Sequence, residues 1–188
     1  MPFTPLVRAI APALMLAVAM FTPTLTGAAD DAPARLYDHE LRRLHSDDVV
    51  RLAKEFAGQP VLVVNTASHC GFTRQFRELE AVHQRFKDRG LKVAGFPSDD
   101  FRQEAGDEAE TAEVCFKNFG VTFDMFAPIR VTGTEAHPLF REIARQSAAP
   151  EWNFHKYVID RSGKVIAAFS SRTKPDAPEV IAAIEKAL

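Results

Sequence analysis

Cysteine and glycine are scarce in this 188-residue chain, which has two of the first and nine of the second. Two cysteines cannot build a disulfide scaffold, and a domain of this length buries enough apolar surface to need none. Few glycines, 12 prolines, 46% hydrophobic and 26% charged residues exclude a collagen-like, wholly disordered or coiled-coil chain. Positive charge is not in excess, since 23 Lys and Arg stand against 25 Asp and Glu. The formal charge of −2 leaves no electrostatic footprint for nucleic acid and gives no support to a membrane-surface role. The chain has no Cys-x-x-Cys, no Gly-rich nucleotide loop and no internal repeat, which argues against a general disulfide exchanger, a nucleotide site and a repeat array. His69, His83, His137 and His155 show no zinc-like spacing with the cysteines, so no metal site is expected.

What is present begins at the N-terminus. Residues 9–21 carry no charge, follow Arg8, and lead into small residues through Ala28 and Ala29. This pattern is that of a cleaved secretory signal over residues 1–29; an uncleaved anchor is the alternative, although the run is shorter than the roughly 20 residues that span a bilayer. Removal of residues 1–29 takes away Arg8 and no acid, leaving 22 basic and 25 acidic residues, a net charge of −3. A periplasmic or secreted location is expected, where cysteine oxidation is permitted. Residues 30–35 read as a flexible leader and residues 36–188 as one domain.

Within that domain, residues 60–66 are apolar and β-branched almost without interruption, which suits a strand buried on both faces. Phe76, Leu79, Val82 and Phe86 then repeat at spacings of three and four, predicting a helix over residues 73–88 that ends at Gly90. Residues 91–96 form the next strand, stopped by Pro97. Asp107 with Glu110 three residues later starts a helix that runs through Cys115 to Gly120. A strand is expected over 129–131, a helix over 136–146, a hairpin over 157–169 and a closing helix over 176–188. The sum is an α/β domain of thioredoxin-like arrangement, a central mixed sheet flanked by helices.

Ser68-His69-Cys70-Gly71-Phe72-Thr73 lies between the buried strand and its helix, at the strand's carboxyl end, where open α/β sheets place their sites. First-turn amides and the helix dipole favour an anion there, which raises the reactive thiolate fraction. On position alone, an inert buried cysteine is an equal reading.

Three separated stretches resemble the glutathione peroxidase family across nearly all of residues 36–188. Residues 64–73 (VNTASHCGFT) resemble the segment carrying that family's peroxide-reducing cysteine or selenocysteine. Residues 95–101 (GFPSDDF) with Gln103 and Glu104 resemble its second signature, and Glu151-Trp152-Asn153-Phe154 followed by Lys156 the third. The resemblance implies a thioredoxin-like fold and thiol-based reduction of hydroperoxides without metal or organic cofactor. It makes Cys70 the nucleophile and gives Trp152 and Asn153 as partners of the sulfur. Indole N–H and amide NH₂ are neutral donors able to stabilise a thiolate without consuming it.

Departures from the family pattern fall on the second signature. Asp100 stands where many members have glutamine, Asp99 where asparagine is familiar, and Ser98 where many have cysteine. An ionised carboxylate beside Cys70 disfavours a thiolate, so Asp100 is expected either to shuttle a proton to the leaving oxygen or to cap nearby amides. Cys115 lies in a stretch resembling two-cysteine members, which implies a resolving role; a buried, inert helical cysteine and a permanent 70–115 disulfide are the alternatives. Lys156 and Arg172 are candidate attractors of an anionic reductant. The resemblance also implies a monomer, because the chain between Phe126 and Trp152 has no sizeable insertion where that family's tetrameric members carry an additional loop. The expected partners are a hydroperoxide and a thioredoxin-like reductant, with glutathione as the alternative, and a non-catalytic redox-sensing module is the reading from another class.

Overall fold

In the computed structural model, which describes residues 1–3 and 36–188, the domain opens with a short antiparallel hairpin, β1 (Glu40–Arg42) and β2 (Val49–Arg51), running directly into α1 (Leu52–Phe56). The expected signal segment and leader fall almost entirely outside the described residues. None of the three opening elements has enough length for its periodicity to be read.

β3 (Val61–Thr66) follows and is buried at every residue. Leu62 and Val64 face one apolar cluster while Val61 and Val63 face the other, the alternation that a two-sided core demands. After the Cys70 loop, a 3-10 turn (Thr73–Gln75) leads into α2 (Phe76–Phe86), which buries Phe76, Leu79, Val82 and Phe86 as their spacing requires. Gly90 takes the left-handed conformation, φ 96°, that ends this helical stretch. β4 (Lys92–Pro97) pairs in parallel with β3, and Pro97 is its last residue, opposite Thr66.

Asp107 caps α3 (Glu108–Ala112) by accepting from the Glu110 amide at 2.8 Å, as the sequence signature implies. The helix does not continue as α through Cys115. Residues Glu113–Asn118 wind as a π-helix, with Cys115 buried inside it.

The expected strand over 129–131 does not form. The edge strand is instead β5 (Asp124–Met125), parallel to β4. Ile129 N–H still reaches the carbonyl of Pro97 at the end of β4, but beyond it the Val131 and Thr132 N–H groups bind the Asp100 carboxylate in place of a strand. α4 (Pro138–Gln146), the hairpin β6 (Lys156–Ile159) and β7 (Val165–Phe169), and α5 (Pro178–Ala187) complete the chain. The sheet order is β5-β4-β3-β6-β7, with β6 and β7 antiparallel to their neighbours. This mixed sheet, with α2 and α5 contributing to one apolar cluster and α1 and α4 to the other, is the thioredoxin-like arrangement.

Candidate functional site

The loop that leaves β3 holds Cys70 by a single side chain. Thr73 Oγ1 accepts from the Cys70 amide at 3.1 Å and reaches the carbonyls of Ala67 and Cys70, both at 2.8 Å. The Thr73 amide donates back to the Cys70 carbonyl at 3.0 Å. The tight turn this creates brings the Phe72 N–H to 3.4 Å from Cys70 Sγ, the geometry of an amide donating to sulfur. Cys70 is 8% exposed, so the sulfur sits just beneath the surface. Both cysteines are free thiols, and a permanent 70–115 disulfide is absent.

Trp152 and Asn153 lie on the turn before β6. Trp152 is 41% exposed, with its ring against Phe101 at a centroid distance of 5.3 Å. Asn153 is fully buried; its Nδ2 donates to Gln103 Oε1 at 3.1 Å, while its Oδ1 is buried without a partner. The turn is stapled to β3 through Asn65, which binds the Trp152 carbonyl, the Phe154 amide and the His155 amide. One strand thus carries the cysteine loop and anchors the turn bearing both expected partners. A cavity of about 370 Å³ opens between this turn and the loop after β7, with Phe72 and Trp152 as apolar walls and Glu151, His155 and Arg172 around them.

The segment after β4 ties these parts together. Phe101 touches Trp152, Gln103 binds Asn153 and accepts the His69 amide at 2.9 Å, and Glu104 accepts from the hydroxyls of Ser68 and Thr111. Glu104 therefore links the Cys70 loop to the helix that continues to Cys115. Burial, aided by the Glu104 charge, pushes the Cys115 thiol up to about 12. In the closed fold it is a neutral thiol.

Asp100 faces away from this chemistry. Its carboxylate, 2% exposed, binds the Arg130 side chain and the amides of Val131 and Thr132 at 2.6 and 2.8 Å. Burial alone would raise its pKa, but these donors outweigh burial and hold it below the usual carboxylate value. A carboxylate anchored in this way matches the amide-capping alternative. Lys156 also departs from expectation. It is fully buried, donating to the Gln75 carboxamide at 2.9 Å and to the Phe154 carbonyl at 2.6 Å, and so offers nothing to an approaching reductant. Arg172 remains exposed beside the cavity. Among the described residues, no group of three His, Cys, Asp or Glu is placed to hold a metal ion.

Sequence reasoning singled out neither Asn65 nor the individual tasks of Phe101, Gln103 and Glu104. Asn65 was nevertheless conspicuous as a carboxamide at the end of a run otherwise fit for a two-sided core, since such a group is found buried only where its bonds are met.

A family model described as glutathione peroxidase matches residues 36–144. The glutathione peroxidase of Lactococcus lactis subsp. cremoris (strain MG1363) is 42% identical over 149 residues, covering 76% of this chain and 94% of its own length. The hydroperoxy fatty acid reductase gpx1 of Synechocystis sp. is 44% identical over 147 residues, covering 72% and 86%. A crystal structure of Trgpx in its apo form superposes with a TM-score of 0.61 at 34% identity, covering 80% of this chain and 95% of that one.

Proposed function

This chain belongs to the glutathione peroxidase family and is a peroxidase, and from that premise we propose that Cys70 is its nucleophile, Cys115 its resolving residue and a thioredoxin-like protein its reductant. The observation that carries the reading is the Cys70 sulfur at the carboxyl end of β3, near the surface and facing an amide donor, with the Trp152-Asn153 turn anchored to the same strand. The Cys70 thiolate attacks the terminal oxygen of a hydroperoxide; the O–O bond breaks, the alkoxide leaves with a proton as alcohol or water, and Cys70 becomes a sulfenic acid. Cys115 then attacks that sulfur, water departs, and a 70–115 disulfide forms, which a dithiol protein reduces by exchange.

An exposed indole and the apolar wall of the adjoining cavity support organic and fatty-acid hydroperoxides as substrates alongside hydrogen peroxide, in keeping with the name of the Synechocystis relative. Direct reduction by glutathione is the second reading, favoured by the burial of Cys115 and by Arg172 beside the cavity. The protein acts as a monomer in the periplasm or outside the cell. This is supported by the short chain between residues 126 and 152 and by the charge-free run over residues 9–21, and is tested by light scattering and by terminal sequencing of envelope-fraction protein.

The deciding experiment is peroxide consumption with thioredoxin and glutathione offered in parallel. Cys70→Ser should abolish turnover with both while keeping the fold. Cys115→Ser should still form the Cys70 sulfenic acid but lose thioredoxin-supported cycling; normal cycling would leave the one-cysteine, glutathione reading.

A further inference from the structure

The contact between Gln103 and Asn153 is made by two carboxamides, and each can present either its oxygen or its NH₂. With Asn153 Nδ2 donating to Gln103 Oε1, one Asn153 hydrogen is used and its oxygen is left buried and unpaired. In the reverse sense Gln103 Nε2 donates to that oxygen. The unpaired buried atom is then the Asn153 nitrogen instead of its oxygen, and both its hydrogens are left for an anion. Shape does not distinguish the two senses, so residue 103 does. It is well fixed for the task, because its own carbonyl accepts the amide of His69, the residue before Cys70. Two residues earlier, Phe101 packs on the Trp152 ring.

We propose that Gln103 is a positioning residue of the peroxidase reaction: by donating to the Asn153 oxygen it sets the sense of that carboxamide and leaves its NH₂ for the Cys70 thiolate. This rests on the reading of Asn153 as a partner of the sulfur. It assigns an amide role in the second signature to position 103, in a chain whose position 100 is an anchored acid. A donor at position 103 is essential under this scheme. Glutamate, of nearly the same shape, only accepts when ionised; it would capture the Asn153 NH₂ and turn the Asn153 oxygen towards an anion that it repels.

The test is a double-mutant cycle read in single turnover, as the rate at which hydrogen peroxide consumes the free Cys70 thiol in the absence of any reductant. Asn153→Ala should slow this rate roughly ten- to a hundredfold, the range expected for losing a hydrogen bond to a charged group. Gln103→Glu should slow it by a similar factor in the otherwise unchanged protein, and by less than about twofold when Asn153 is already alanine. Gln103→Met, uncharged and unable to donate, should show the same non-additivity with a smaller fall, and serves if the glutamate variant folds poorly. If Gln103→Glu and Gln103→Met slow the reaction equally with and without the Asn153 amide, residue 103 acts by charge or packing and the proposal is overturned while the role of Asn153 stands. A wild-type rate in Asn153→Ala would instead overturn the role of Asn153, and the proposal with it.

Discussion

The Asn65 carboxamide spans the turn that carries Trp152: Nδ2 donates to the Trp152 carbonyl at 3.1 Å, and Oδ1 accepts from the His155 amide at 3.0 Å. The Asn65 backbone carbonyl takes the Phe154 amide at 2.7 Å, between these two bonds. Phe154 has φ of 63°, left-handed for a bulky residue, a conformation that persists only where its surroundings over-determine it.

Replacing Asn65 by alanine removes the partner of the Trp152 carbonyl and leaves the buried His155 amide unpaired, the latter at about 1–3 kcal/mol. The melting temperature should fall, and because Trp152 is the sole tryptophan, its emission should report the loosened turn directly. Peroxide turnover should fall with it. Unchanged emission and rate would show that the turn holds itself.

Asp100 makes a different kind of prediction, because its carboxyl sits below the ordinary value of 3.8 in the folded chain. Its contribution to stability is fully present above that ordinary value and is lost as pH falls through the lower folded one. Asp100→Asn should therefore melt lower than wild type at neutral pH, with the gap closing under acid. Its peroxide rate should stay within about twofold, whereas removal of a general acid costs roughly a hundredfold or more.

Lys156 carries the opposite linkage. Burial, only partly offset by Glu78, lowers its pKa from 10.5 to about 7. Between these values the unfolded chain holds a proton that the folded chain has released, so stability rises with pH across that window and is lost as pH falls towards 7. Urea denaturation of wild type and Lys156→Met over this range should give a rising curve and a flatter one. Parallel curves would mean that Lys156 stays charged in the fold.

Oxidation should open the segment around Cys115, but not all of the expected helix. The first turn of α3 is pinned by the Asp107 cap, by Glu108 bound to Arg42 and the His45 amide, and by Thr111 on Glu104. Among the described residues, Glu113–Asn118 have no such side-chain ties, and the Cys115 carbonyl accepts the Val121 amide at 3.1 Å. Hydrogen exchange of peroxide-treated protein should rise over residues 113–118 while residues 108–112 stay protected. Opening also returns the Cys115 thiol from about 12 towards the ordinary range, where it can ionise and attack. Equal protection of both segments in the disulfide form would contradict this division.

The long elements were legible because their patterns are local. The two-sided run of β3, the 3,4-spaced stripe of α2 and the Asp107 cap each declare themselves within a dozen residues. The strand expected over 129–131 is absent where Asp100, some 30 residues away in sequence, takes the amides of Val131 and Thr132. The roles expected of Lys156 and Asp100 shifted for a similar reason: their partners come from the 3-10 turn before α2 with the Phe154 turn, and from the 130–132 loop, pairings that sequence spacing does not reveal. For the site, the resemblance supplied Cys70, Trp152 and Asn153. The residues that hold them, Asn65 and Gln103, emerge only when three distant segments are brought together.

The pairing of Asn65 with residues 152–155 also sets an order of events during synthesis. The strand and its cysteine leave the ribosome some 90 residues before the turn that must dock upon them. Contacts so distant in sequence carry a loop-closure cost that is met only once the C-terminal hairpin is available. Until then the nascent chain carries the Cys70 loop without the Trp152-Asn153 turn docked on β3. A chain truncated before residue 151 would therefore keep the thiol but lose the turn that docks on the strand before it.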